Sequence, residues 1–157
     1  MITCLFEDNN KVLLRHVTVN TIVIKESRVL LGKRGTFNGR PIPESGKWGL
    51  LGGFFNRNEN LMQAAKREVM EESGWQIDHL KLFRINDNPN RPKEDRQNVD
   101  IIFIAQAVRQ ISTSDEEVSN LQWFDLEKLP TVAFDHGDSL ELYKKYLKEK
   151  FPLPILG

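Results

Sequence analysis

The stretch from Val99 to Val108, VDIIFIAQAV, constrains the fold more than any other part of the chain. It is β-branched and nearly continuously apolar, the pattern of a strand buried inside a sheet. Other extended segments gather around it. VTVNTIVIK, residues 17 to 25, is partly alternating, and after the polar break Glu26-Ser27-Arg28 a second apolar run, Val29 to Leu31, completes a predicted hairpin. A strand from Trp48 to Leu51 ending at Gly52-Gly53, an extended segment from Trp75 to Ile85 and a short strand around Leu121 to Phe124 are also expected. Residues 35 to 47, rich in Gly, Pro, Ser and Asn, read as a loop, as does the polar segment Asp87 to Gln97.

Two helices complete the pattern. Leu61, Met62, Ala65 and Val69 recur at helical spacing, Asn58 or Asn60 offers an N-cap, and Gly74 supplies the stop. The second helix is expected to start near Ser139, with Leu140, Leu142, Tyr143, Tyr146 and Leu147 on one face before Pro152. Strands on either side of a central helix, with another helix at the end, predict a mixed α/β fold: a sandwich in which helices cover a curved mixed sheet.

A length of 157 residues fits one domain, residues 1 to 157. Acidic and basic residues balance at 22 each, so no global field points to nucleic acid or an anionic membrane, and any anion binding must be local. Cys4, the sole cysteine, has no partner for an internal disulfide and reads as a plain thiol in a reducing cytosol. No stretch approaches the ~18 apolar residues of a membrane span. The expectation is a cytoplasmic protein.

The central helix carries Glu68, Glu71 and Glu72 at i, i+3 and i+4, three carboxylates within an arc of about 100°. Like charges so placed destabilise a helix unless a cation neutralises them, and carboxylate oxygens suit Mg²⁺, or Mn²⁺, rather than zinc. The arc overlaps the apolar face of Leu61, Ala65 and Val69, so Glu72 is expected to be partly desolvated, which strengthens its attraction for a cation. Arg67, four residues before Glu71, is placed to fork onto a neighbouring carboxylate and fix its rotamer. Gly52 and Gly53 let backbone approach the helix, and a carbonyl there could add an oxygen ligand.

A Glu-rich helix is by itself usually a solvated face, but here the spacing is specific. Residues 53 to 75, GFFNRNENLMQAAKREVMEESGW, resemble the signature of the Nudix hydrolases at Gly53, Glu59, Arg67, Glu68, Val69, Glu71, Glu72, Gly74 and Trp75. Seven of these are fixed identities, making a chance match on the order of one in 10⁸ per window. Trp75 is an uncommon choice at the closing apolar position. The resemblance covers 23 residues, and the flanking strand order also looks like the Nudix α/β/α sandwich.

The resemblance implies a Mg²⁺-dependent enzyme that cleaves a diphosphate linkage in a nucleoside diphosphate compound. Glu68, Glu71 and Glu72, with Gly53, would hold the ion, which bridges the phosphates and acidifies a water, and Glu68 or Glu72 could take the proton. Some relatives place the base on a later loop, where Glu116 or Glu117 is available; both also fit a solvated acidic turn. Glu59 is expected to orient the motif rather than bind metal.

Lys33, Arg34 and Lys47 flank the long loop and could contact phosphate, with Trp48 as a base platform or a core residue. The segment Asp87 to Ala105 resembles the corresponding region of ADP-ribose pyrophosphatases, although Gln97 and Asn98 stand where a His is commoner. Arg91 and Arg96 in it could reach a diphosphate or terminal ribose, or be solvated. The expected substrate is ADP-ribose or another nucleoside diphosphate sugar. The alternatives are clean-up of nucleoside triphosphates, a non-catalytic sensor, and RNA 5′-end processing, which the neutral charge disfavours. A homodimer is possible, and the apolar tail PLPILG packs either on its own domain or on a partner.

Overall fold

The computed structural model describes residues 2–91 and 97–157. A hairpin of β1 (Ile2–Leu5) and β2 (Lys11–Leu14) precedes the main body, as a separate two-stranded sheet. The main sheet begins with β3 (Val17–Lys25) and β4 (Arg28–Arg34). Their turn residues Glu26 and Ser27 have φ of 50° and 64°, the left-handed pair that matches a two-residue turn to strand twist.

Within the segment expected to be loop, β5 (Thr36–Phe37) and β6 (Arg40–Pro41) form a small hairpin around Asn38-Gly39. Next come β7 (Trp48–Gly49) and β8 (Leu51–Phe54), α1 (Leu61–Ser73), β9 (Trp75–Asn86), β10 (Val99–Gln110) and β11 (Val118–Asp125). The chain closes with α2 (His136–Glu149) and β12 (Ile155–Leu156).

The sheet runs β11-β4-β3-β10-β9-β12, with β7 paired to β4 and β8 to β3. Its centre is the parallel pair β3 and β10, Val19 opposite Ile101 and Val23 opposite Ala105. Alternation then sends neighbouring residues to opposite covers. Val19, Val23, Leu30, Ile101, Phe103 and Ala105 pack on the α1 side with Ala64, Ala65 and Val69. Ile22, Ile24, Val29, Leu31, Ile102 and Ile104 pack on the α2 side with Leu140 and Tyr143. This is the α/β/α sandwich expected from the sequence, and it explains why the middle of β10, Ile101 to Ala105, is apolar at every position.

The ends of α1 have identifiable causes. Asn60 and Gln63 form a reciprocal capping box, and Gly74 closes the helix at φ 69°. α2 starts three residues earlier than its apolar stripe indicated, because His136 is drawn into the core. β12 pairs in parallel with Arg84 and Ile85 of β9, so the apolar tail packs on its own domain.

One irregularity opens the site. The edge of β3 is shared: Val23–Lys25 pair with β4, whereas Thr18–Thr21 pair with β8. β4 likewise leaves β3 to pair with β7. The two strands splay, and between them, α1 and the start of α2 lies a cleft. Among the described residues no helix is long and apolar enough to cross a membrane.

Candidate active site

The cleft has a volume of about 680 Å³, within the range of small-molecule sites. Glu68, Glu71 and Glu72 from α1 line one side, Gly52 and Gly53 from β8 its floor, and Glu117 another part of the rim. Glu72 is the most withdrawn of the α1 carboxylates, 8% exposed, and its Oε2 accepts a hydrogen bond from the Gly52 amide at 2.7 Å. Burial pushes its carboxyl well above the usual range, with the Gly52 amide opposing and neighbouring Glu68 adding to the rise. Burial also raises Glu68, against the pull of Arg67.

Arg67 organises the cluster. Its Nε and Nη2 donate to both oxygens of Glu59 at 3.0 and 2.8 Å, and its Nη1 reaches Glu68 at 2.8 Å and Glu71 at 3.0 Å. Nη2 also donates to the Phe54 carbonyl at 3.0 Å, tying α1 to β8. A guanidinium fork can serve these separate acceptors at once; an ammonium cannot keep that fixed geometry. Glu59 is anchored from its other side by the Asn56 amide at 2.7 Å.

The two glycines are required by close approach. A Cβ on Gly52 would lie 2.0 Å from the Val19 carbonyl oxygen, and one on Gly53 would lie 2.7 to 2.8 Å from the Glu68 carboxylate. The strand therefore passes directly beneath the carboxylates.

This donor set fits a hard divalent cation. Glu72 and Glu68 are oxygen donors held close together, and the raised proton affinity of both is what a bound cation would relieve. Among the described residues no three metal-binding side chains already enclose a common point.

A family model described as NUDIX domain matches residues 14–145. The chain belongs to the Nudix family. Over 130 residues it is 28% identical to the ADP-ribose pyrophosphatase of Methanocaldococcus jannaschii, covering 83% of this chain and 73% of that protein. It is 31% identical over 136 residues to the oxidized purine nucleoside triphosphate hydrolase of Mus musculus, covering 83% and 79%. Among solved structures, a NUDIX hydrolase from Nitrosomonas europaea superposes with a TM-score of 0.78 at 27% identity, over 95% of this chain and 81% of that one. The protein is thus a Nudix hydrolase, and residues 53 to 75 are its Nudix box.

Beyond the box, this Nudix fold sorts the residues singled out in the sequence. Glu117 faces the cleft, and burial, then Asp115, raises its carboxyl. Glu116 turns away to accept from the Asn38 amide at 2.9 Å, holding the β5–β6 hairpin. Arg34 lines the cleft, donating to the Pro43 carbonyl at 2.8 Å with its guanidinium 5.0 Å from the Phe134 ring centre.

Neither Lys47 nor Trp48 lines the cleft. Lys47 pairs with Glu44, and Trp48 meets Phe124 edge-on at 4.9 Å against the α2-side core, where its apolar bulk is better satisfied than at the rim. Arg96 lies outside the described residues.

Arg91 is neither solvated nor simply a phosphate hook. Its side chain is 3% exposed, forks onto Asp135 at 2.7 to 3.0 Å and approaches Asp100 at 3.7 Å. Burial opposes charge on Asp135, but hydrogen bonds from Arg91 and Asn86 outweigh it and hold its carboxyl low. Asp100, fully buried on β10, accepts from Thr18 at 3.1 Å and Asn20 at 2.8 Å.

No sequence pattern marks this polar layer, because Asp100 interrupts an otherwise apolar run. Nor does any pattern mark His136, which accepts the Leu50 amide at Nδ1, 3.0 Å away, and so receives the backbone where β7 breaks from β8.

Proposed function

We propose that this Nudix hydrolase cleaves the diphosphate linkage of ADP-ribose or a related nucleoside diphosphate sugar, giving AMP and a sugar phosphate in the first case. The observation that carries the reading is the pair of buried Glu72 and half-buried Glu68, pinned by Gly52, Gly53 and Arg67 at one side of a cleft that has Arg34 and aromatic rings elsewhere on its wall. The 28% identity to an ADP-ribose pyrophosphatase supports the substrate class.

Glu68, Glu71 and Glu72 would hold Mg²⁺, with Mn²⁺ as a substitute. When bound, such an ion supplies positive charge to the phosphate oxygens and acidifies water for in-line attack. Arg67 keeps the carboxylate rotamers fixed, so little reorganisation accompanies reaction. Arg34 faces the cleft as a cation for the substrate. Glu117, on the rim with a raised carboxyl, would accept the proton of the attacking water. We take residues 1 to 157 as one domain acting in the cytoplasm, able to form a homodimer.

A second reading, hydrolysis of nucleoside triphosphates, is favoured by the 31% identity to an oxidized purine nucleoside triphosphate hydrolase. Purified protein with Mg²⁺ and a panel of ADP-ribose, other nucleoside diphosphate sugars, dinucleoside polyphosphates and (d)NTPs separates them by product chromatography. AMP from ADP-ribose supports the first reading. Cleavage confined to triphosphates moves the assignment to the second. Tight binding with every substrate intact would make the domain a sensor.

A further inference from the structure

The cleft is chemically divided. Its acidic side holds the Nudix carboxylates, whereas Phe37, Ile42, Pro43 and Phe134 supply an apolar wall. Three of these come from the β4–β7 connection, and Arg34 links them to the fourth: its Nε donates to the Pro43 carbonyl while its guanidinium covers the Phe134 ring at 5.0 Å. Phe134 is held unusually for a bulky residue. It has φ of 50°, packs its ring 5.7 Å from that of His136, and is followed by Asp135, which Arg91 and Asn86 clamp. A non-glycine residue in the left-handed region persists only where its surroundings over-determine it, and such positions concentrate at functional sites. Phe37 is 53% exposed at the start of a tight Asn38-Gly39 turn, and the contact of Glu116 with the Asn38 amide keeps that hairpin over the cleft.

We propose that the Arg34–Phe134 pair, with Phe37, Ile42 and Pro43, forms the subsite that takes the planar base of the nucleotide. The proposal rests on the nucleotide-hydrolase reading. An aromatic base is apolar on its faces and polarisable, so it gains from a stacked guanidinium and phenyl ring while its phosphates extend to the acidic side. Among the described residues lining the cleft the remaining phenyl ring, Phe54, stands on β8 beside α1 and leans on His16 at 5.4 Å, which makes it the internal control.

The test is equilibrium binding by calorimetry, with AMP and ribose 5-phosphate as probes, in the wild type and in Phe37→Ala, Phe134→Leu and Phe54→Ala. Phe37 is exposed enough for its truncation to leave the fold intact, and Phe134→Leu retains apolar bulk without the ring. Expected are an AMP preference over ribose 5-phosphate of about tenfold or more in the wild type, from base stacking, and its loss in the Phe37 and Phe134 variants but not in Phe54→Ala. Equal binding of the two probes by the wild type, or loss of the preference only in Phe54→Ala, would overturn the assignment. Hydrolysis of ADP-ribose by the wild type is measured separately, so failure of the base subsite is distinguishable from failure of the hydrolase reading.

Discussion

Acidification from pH 7 to pH 5 should remove about 2 kcal/mol of folding stability through His136 alone. Its ring is buried, Nδ1 accepts the Leu50 amide, and Arg91 and Arg34 add positive charge nearby. Burial, then those two cations, push its pKa from 6.5 down to about 3. Protonation would replace the acceptor by a donor facing the Leu50 N–H. The unfolded chain binds the proton near pH 6.5 and the folded one does not, so the contribution is present above pH 6.5 and is lost as pH falls toward about 3.

Glu72, Glu68 and Asp100 have raised values and act in the opposite sense, so the wild-type curve alone is a sum. His136→Asn isolates the term, because an amide oxygen near the position of Nδ1 can accept the same amide without titrating. Urea denaturation at pH 7 and pH 5 should show the wild type losing about 2 kcal/mol more than the variant over that interval. Parallel losses in the two proteins would refute a neutral, buried His136.

Three further outcomes follow from the contacts. Arg91→Met should cost about 3 to 5 kcal/mol in urea denaturation, since it strands the buried carboxylates of Asp135 and Asp100. Arg67→Lys should lower kcat by roughly 10- to 100-fold and raise the Mg²⁺ concentration for half-maximal rate, because one ammonium cannot serve Glu59, Glu68, Glu71 and the Phe54 carbonyl. In Gly53→Ala the new methyl displaces the flexible end of Glu68 rather than the backbone. The thermal midpoint should therefore barely change while turnover falls by about tenfold or more.

What the sequence disclosed and what it hid have a common physical origin. Local patterns were legible: the capped helix Leu61–Ser73, the β-branched run of β10 and the spacing of Glu68, Glu71 and Glu72 all lie within contiguous segments. The hairpin at Asn38-Gly39 carried a readable turn signal that the surrounding Gly and Pro masked. Long-range pairing was not legible. Arg91 finds Asp135 across 44 residues and Leu50 finds His136 across 86, and no periodicity marks such partners. Trp48 and Phe134 both flank apolar sequence, and only the splay of β3 and β4 decides which ring meets the cleft.

The most direct test of the active-site assignment is AMP release from ADP-ribose with Mg²⁺, followed by chromatography, for the wild type and Glu72→Gln. Glutamine retains an acceptor for the Gly52 amide while removing the charge, so the variant should fold with unchanged thermal stability or better, given that burial disfavours the carboxylate. The expected result is AMP and ribose 5-phosphate from the wild type and a rate lower by roughly 10² to 10⁴ in the variant. A folded Glu72→Gln protein that releases AMP at the wild-type rate would contradict the placement of the reaction at the Nudix carboxylates.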